Sequence, residues 1–362
     1  MGVRAAELSV LNYRSFSTYT LGLDPGVTVL AGHNAAGKTN LVEALQLLTA
    51  GASFRRPAAA ELLREGAQTG KAQLTLKGDG RLLTMGLEVT PEKRVFTRNG
   101  KKTRAAGVRG VLPSVLFCPD NLDMIKRSAR MRRDALDSFG VQLNAQYGKL
   151  LSAYERTVEQ RNNLLKDVNP SRDVLAAWDE SLIAAGSSLL MHRVALLARI
   201  RAHFVRVYSE IAPHERADVS YEASIGPLSQ TREEVASQFA CALEHSRGDE
   251  LRRGITLVGP HRDEICFTID GRAARDYGSQ GQQRSLVLAW KIAEVEVTQD
   301  ILGQYPLLLL DDVMSELDER RREAIMGFVE DGIQTVITTT NLGYFSDEVL
   351  EKAKVVRVGH EE

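Results

Sequence analysis

The eight residues Gly32-His33-Asn34-Ala35-Ala36-Gly37-Lys38-Thr39 fit the pattern Gly-x-x-x-x-Gly-Lys-[Ser/Thr] and constrain this chain more than any other stretch. Before them, Gly26 to Ala31 is a short apolar, β-branched run suited to a buried strand. After them, Leu41, Ala44, Leu45 and Leu48 recur at helical spacing. Strand, glycine loop and helix in that order read as a phosphate-binding loop. The glycines let backbone N–H groups close round a phosphate, and a helix beginning near Lys38 turns its positive dipole end to the same anion. Lys38 would reach the β- and γ-phosphates of a nucleotide, and Thr39 would ligate Mg2+.

Two later stretches supply what such a loop needs. Pro306 to Leu310 is an apolar strand ending in Asp311 and Asp312, carboxylates placed to hold Mg2+ and position a water. Ser315-Glu316-Leu317-Asp318 follows at once. Upstream, Tyr277-Gly278-Ser279-Gln280-Gly281-Gln282-Gln283-Arg284 precedes an amphipathic helix, where Ser279 and Gly281 suit a second anion site at the helix start. Lys38 and Asp311 lie so far apart that the intervening chain is expected to be inserted between two adjacent strands of one sheet.

Between these motifs the character of the chain changes twice. Glu7 to Leu11 and Thr18 to Leu23 read as a strand pair around Asn12-Tyr13-Arg14-Ser15-Phe16, with Arg14 either near a phosphate or a solvated turn residue. Lys71 to Leu76, Leu82 to Val89 and Arg94 to Thr97 alternate as strands, with Asn99-Gly100 as a hairpin turn. Lys93, Arg94, Arg98, Lys101, Lys102, Arg104 and Arg109 give this sheet a basic rim, which either tracks nucleic-acid phosphates or protects an edge. Leu112 to Cys118 is a further buried strand.

From about residue 121 helical patterns take over. Ile125 to Arg133 is a basic run that could touch DNA or form a solvated face. Leu150 to Asp167 and Val174 to Ile211 are long helices with a turn at Asn169-Pro170-Ser171, a short packed arm with no sustained heptad. Trp178 and Tyr154 read as packing residues. Strand patterns return at Asp218 to Ser224, Ile255 to Val258 and Glu264 to Ile269, with a helix near Glu233 to Glu244. In the turn Gly259-Pro260-His261-Arg262-Asp263, either Asp263 holds the loop or His261 and Arg262 reach a nucleotide or partner, and the local pattern favours the first. The expected segments are thus 1–120, 121–250 and 251–362.

Net charge is only −1, so a nucleic-acid surface has to be a local patch. The three cysteines are scattered and indicate neither a disulfide framework nor a zinc site, which fits a reducing cytoplasm. The apolar stretch Leu182 to Ile200 is interrupted by His192, Arg193 and Arg199, so no membrane association is expected.

The loop, Ser-x-Gly-Gln before a helix, and the strand ending Asp-Asp with Ser-x-Leu-Asp behind it resemble the ATP-binding-cassette ATPases. Asn12 to Phe16, the Gly-His-Asn-x-x-Gly-Lys-Thr-Asn loop and the short arm narrow this to the SMC-like DNA-repair ATPases. Pro119-Asp120, Arg132-Arg133, Asp137, Gly259 to Asp263 and Ser279 to Arg284 resemble the RecF family of recombination mediators nearly end to end. The resemblance implies an α/β head of mixed sheets and helices, interrupted by the helical arm. It puts ATP on Gly32, His33, Asn34, Ala35, Ala36, Gly37, Lys38, Thr39 and Asn40, with Arg14 nearby. Ser279, Gly281 and Gln282 of a second copy would close over it in an ATP-dependent homodimer. Asp311 would hold Mg2+ with Thr39, Asp312 would orient water, and Asp318 would cross the seam.

The family further implies a weak ATPase stimulated by DNA, bound to duplex or gapped duplex, with RecR as partner and RecA loaded onto strands coated by single-strand-binding protein. Two departures stand out. Asp312 replaces the glutamate of many relatives, and Thr339-Thr340-Asn341 stands where transporter-type relatives carry a switch histidine. No glutamine between Gln73 and Gln142 supplies the usual Gln loop, and slow turnover follows as an expectation. An overcoming-lysogeny-type ATPase is the competing family reading.

Overall fold

The computed structural model describes residues 2–78, 80–167, 170–329 and 332–359. The chain forms two compact units, Met1–Asp123 with Val287–Glu362, and Met124–Leu286. In the first, β1 (Arg4–Tyr13) and β2 (Phe16–Gly22) pair antiparallel around the turn at Arg14 and Ser15. They belong to a six-stranded sheet ordered β2-β1-β4-β5-β6-β7, with β4 (Gly70–Gly78), β5 (Arg81–Val89), β6 (Arg94–Arg98) and β7 (Lys101–Thr103). Asn99 and Gly100 both take positive φ, 50° and 73°, which turns the β6–β7 hairpin as their residue types ask.

The second sheet of this unit is wholly parallel and ordered β14-β3-β13-β12-β8. It contains β3 (Val27–Ala31), β8 (Ser114–Phe117), β12 (Leu307–Asp311), β13 (Thr335–Thr339) and β14 (Lys354–Arg357). Strands β8, β12 and β13 are buried at every position, as their unbroken apolar and β-branched runs require. Helix α1 (Lys38–Ala50) touches β4 and β5 of one sheet and β8, β12 and β13 of the other. This explains why Val42 and Leu47 are buried as well as the Leu41, Ala44, Leu45 and Leu48 stripe: the helix is covered on two sides. Residues of both sheets and of α1 form one core.

β3 and β12 are not the adjacent strands that the sequence leads one to expect; β13 stands between them. A helix lying across several strands delivers its first turn past the nearest one, so loop and carboxylate meet without strand adjacency. The short α2 (Pro119–Leu122) follows β8, while α9 (Glu319–Val329) and α10 (Asp347–Lys352) belong to the C-terminal segment.

The second unit is built on α3 (Ala129–Leu143), α4 (Ala145–Leu165), α5 (Arg172–Ile211) and α6 (Arg232–Arg253). Arg161 meets Asp179 and Tyr147 meets His192, an inverse pairing that makes α4 and α5 antiparallel. Asn169 of the expected turn lies outside the described residues. By length and composition α5 could cross a membrane, but α4, α6 and β9 (Ala217–Glu222) pack on it. Its Leu182, Leu189, Leu190, Ile200 and Phe204 are core.

Strand β9 pairs with β10 (Glu264–Ile269), which turns through Asp270-Gly271 into β11 (Arg272–Ala273) and then α7 (Ala274–Tyr277). That pairing ties residues beyond 250 into this unit, which ends at Leu286 within α8 (Gln280–Leu302). Ile255 to Val258 is not a strand. Side chains consume its polar groups instead: Thr256 N–H donates to Asn162 Oδ1 at 2.7 Å, and Leu257 N–H donates to Glu250 Oε1 at 2.8 Å. Arg161, fully buried, joins Asp179, Thr256 and Glu250 at 2.6 to 2.9 Å. Removing the arginine would leave the buried Glu250 carboxylate without its cation, while Asp179 keeps Arg247 at 2.7 Å, a loss of about 3–5 kcal/mol.

Candidate functional site

Gly37 caps α1 with φ 95°, and a Cβ there would come within 2.5 Å of the Phe16 ring and 2.8 Å of Ser15 Oγ. Only glycine fits. At Gly32 an added Cβ would approach the Val358 carbonyl oxygen to 2.2 Å, so both loop glycines answer to backbone demands. His33, Asn34 and Ala35 form the exposed crest, Ala35 with φ 65°, while Ala36, Gly37 and Lys38 are buried. Lys38 Nζ donates to the carbonyl oxygens of Gly32 and His33, both at 2.8 Å. Burial lowers its pKa, against the pull of Asp312 and Asp311.

The loop and the end of β12 meet directly. Thr39 Oγ1 donates to Asp311 Oδ1 at 3.0 Å across 272 positions of sequence. Thr338 of β13 donates to the same oxygen at 2.9 Å, and accepts from the Asp312 N–H at 2.9 Å. Burial raises the Asp311 pKa, while the Thr338 and Thr39 hydroxyls oppose the rise. A threonine hydroxyl beside a buried carboxylate is a hard-oxygen pair that fits Mg2+, which takes one or two protein ligands and otherwise water and phosphate. Among the described residues no group of three or more His, Cys, Asp or Glu side chains is placed to hold a metal. The fit is to a nucleotide-bound cation.

Asp312 is half-buried and left-handed, φ 53°, a conformation aspartate tolerates. Arg14 lies in the turn facing the loop, but its guanidinium is engaged by Glu43 of α1 through Nε and Nη2, each at 2.9 Å. Glu43 is fully buried and also accepts from Ser53 at 2.6 Å. Arg55 donates to Asn40 Oδ1 at 2.9 Å, and Asn40 donates to Ser15 Oγ at 3.0 Å. Sequence reasoning missed Glu43, Arg55 and Thr338. A lone acid inside the apolar run Leu41 to Leu48 was the available signal for Glu43.

The remaining motif residues divide as follows. Asp318 caps α9 by accepting from Arg321 N–H at 3.0 Å and pairs with that arginine's side chain. Ser279, in the second unit, caps α8: its Oγ accepts from Gln282 N–H at 3.2 Å, and Gln282 Oε1 accepts from Ser279 N–H at 2.8 Å. Gln282 also reaches Glu215 at 3.0 Å. Gly281 opens the helix one position after Gln280.

The basic residues sort by partner. Lys93, Arg94, Arg98, Lys101, Lys102 and Arg104 are exposed, whereas Arg109 donates to the Ala50 carbonyl at 3.0 Å and leaves the rim. In the run to Arg133, Lys126, Arg127 and Arg130 are exposed. Arg132 is instead buried against Glu264 and three carbonyls, and Arg133 donates to the Asp263 carbonyl at 2.6 Å. Asp263 does hold its turn, accepting from Tyr221 and from Ser224 N–H, both at 2.7 Å. His261 spans Tyr154 Oη at 2.7 Å and the Thr256 carbonyl at 3.1 Å.

Comparison with known proteins agrees with this arrangement. Residues 5–361 match the RecF/RecN/SMC N terminal domain. The chain is 36% identical to the DNA replication and repair protein RecF of Gloeobacter violaceus, over 99% of this chain and 97% of that one. It superposes on the recombination mediator protein RecF-ATP of the RecFOR pathway with a TM-score of 0.88, at 30% identity, covering 96% of this chain and 93% of that one. A Pyrococcus furiosus Smc head domain, 15% identical with a TM-score of 0.55 over 94% of this chain and 90% of that one, shares the fold.

Proposed function

Because the chain belongs to the RecF family of DNA replication and repair proteins, we propose that it is an ATP-driven switch on DNA, acting in the cytoplasm. Two copies close on ATP, the loop Gly32 to Asn40 of one facing Ser279, Gly281 and Gln282 of the other, with Asp318 at the seam. The closed pair holds duplex DNA beside a single-strand gap. With RecR it lets RecA replace single-strand-binding protein on the exposed strand.

Within each site Lys38 exchanges loop carbonyls for phosphate oxygens, and Thr39 and Asp311 hold Mg2+. When bound, that ion neutralises phosphate charge. Asp312 orients the attacking water. Its carboxylate is one methylene shorter than a glutamate, so alignment is poor and turnover slow, as suits a timing switch. The basic edge of the β6–β7 hairpin tracks DNA phosphates.

The observation that carries the reading is the Thr39–Asp311 hydrogen bond, which joins the phosphate loop to the acidic strand end in a geometry suited to metal-bound ATP. The test is steady-state ATP hydrolysis by the purified chain, alone and with duplex, gapped duplex or single-stranded DNA at one low salt concentration. Duplex or gapped DNA is expected to raise a slow basal rate while single strands do not. Equal rates with and without every DNA would remove DNA as the stimulus.

A further inference from the structure

Thr338 sits on the strand between the two motif-bearing strands, directly across from Asp311 in the β12–β13 register, and is fully buried. Its hydroxyl has two partners. It donates to Asp311 Oδ1 at 2.9 Å and accepts from the Asp312 N–H at 2.9 Å. A hydroxyl can do both because it carries one proton and two lone pairs. The first contact, with the Thr39 hydroxyl at 3.0 Å, fixes how the Asp311 carboxylate is turned. The second anchors the backbone of Asp312 in its left-handed conformation, φ 53°, which sets where the second carboxylate starts from.

We propose that Thr338 is a positioning residue of the nucleotide site, holding the Asp311 carboxylate and the Asp312 backbone at the end of β12 in the arrangement that receives a nucleotide-bound divalent cation. The inference rests on the ATPase reading above and adds to it a residue outside the loop, signature and acidic motifs. It also gives this strand a task beyond pairing, in a chain whose following residues Thr339-Thr340-Asn341 carry no histidine. Valine at 338 keeps the shape but removes both hydrogen bonds, leaving the half-buried Asp312 N–H without this acceptor and Asp311 with one hydroxyl fewer. Serine keeps the hydroxyl.

The test uses the full chain as wild type, Thr338→Val and Thr338→Ser. Mn2+ is the metal probe, followed by electron paramagnetic resonance in the presence of a non-hydrolysable ATP analogue. Binding of a fluorescent ADP in excess chelator serves as the metal-free reference. Thr338→Val is expected to weaken Mn2+ binding about tenfold while ADP binding without metal stays within about twofold. Thr338→Ser is expected to recover Mn2+ affinity to within about threefold of wild type. Wild-type Mn2+ affinity in Thr338→Val would overturn the inference, as would Thr338→Ser binding Mn2+ as poorly as valine. If Thr338→Val does not fold, Thr338→Ala, which also lacks the hydroxyl, replaces it in both comparisons. A wild-type chain that takes up no Mn2+ with the analogue overturns the ATPase reading itself, a result distinct from wild-type binding that valine leaves unchanged.

Discussion

Lys38 Nζ donates to the carbonyl oxygen of Gly32 at 2.8 Å, so the loop's own backbone holds the ammonium where phosphate oxygens would come. The buried position lowers the lysine pKa, and the nearby Asp312 and Asp311 work against that loss of charge. Lys38→Met removes the cation while keeping the stem that fills the pocket. Nucleotide affinity is expected to fall more than about 100-fold, consistent with losing a charge-assisted contact at a buried site. Equilibrium binding of a fluorescent ATP measures it, and a fall of less than threefold would place the nucleotide elsewhere.

Ser279 separates two roles by substitution. Ser279→Ala loses the helix cap alone and is expected to cost about 1 kcal/mol, read as a small fall in Tm, with ATP-dependent pairing retained. Ser279→Arg puts bulk and charge at the proposed seam, and sedimentation velocity with ATP is expected to show monomer. A normal dimer in Ser279→Arg would leave Ser279 as a helix cap only.

Asp312→Asn keeps the size of the side chain and removes its charge. Hydrolysis is expected to slow by about 10- to 100-fold, below the roughly 100- to 10,000-fold of a well-placed general base because the short Asp312 aligns water poorly, while the ATP-bound dimer persists. Single-turnover hydrolysis and sedimentation with ATP read the two quantities separately. Unchanged turnover would take Asp312 out of the water-orienting role.

The hairpin edge is tested by Lys101→Glu combined with Lys102→Glu. Both side chains are exposed, and Lys101 lies opposite Arg98 in register, a like-charge pair that a polyanion would relieve. Duplex affinity is expected to drop, and the slope of log K against log salt to lose about two units. Basal ATP hydrolysis without DNA should not change. An unaltered salt slope would move the DNA surface off this edge.

His261 gives the second unit a pH dependence. Burial is the main cause that pushes its pKa down to about 4; the bond to the Thr256 carbonyl works against the shift, while Arg262, Arg133 and Arg193 add to it. Its neutral ring accepts from Tyr154 and donates to Thr256, contacts that the unfolded chain lacks. The unfolded histidine binds its proton first, so stability present above about pH 6.5 is lost as pH falls toward 4. Between pH 7.5 and 5 the loss is about 2 kcal/mol. Urea denaturation at the two pH values measures it, and His261→Gln is expected to flatten the difference.

The phosphate loop, the Asp-Asp strand end and the cap before α8 were legible because each is local: a few residues of demanding backbone or charge at fixed spacing. Gly37 had to be glycine for a reason visible in its own turn. The place of β13 was not legible, since strand order in a parallel sheet is set by packing between residues hundreds of positions apart. Ile255 to Val258 looked like a strand by its side chains, yet Arg161, Asn162 and Glu250 from other elements take its polar groups. Arg132 and Arg109 misled in the same way: charge in sequence says nothing about a carboxylate or carbonyl folded against it. Thr338 was unreadable because its two partners, Asp311 and the Asp312 N–H, come from the end of a neighbouring strand.

The order β14-β3-β13-β12-β8 also bears on how the chain is made. Strand β3, complete at Ala31, has as its two sheet neighbours the strands that end at Thr339 and Arg357. At ribosomal speeds of ~5–20 residues per second it waits roughly 15–60 s for the first of them. Throughout that interval the apolar strand before the glycine loop lacks both of its sheet neighbours, leaving its edges unpaired in the nascent chain. A chain that stops before residue 335 therefore lacks both strands that flank β3 and cannot complete the parallel sheet that carries the loop.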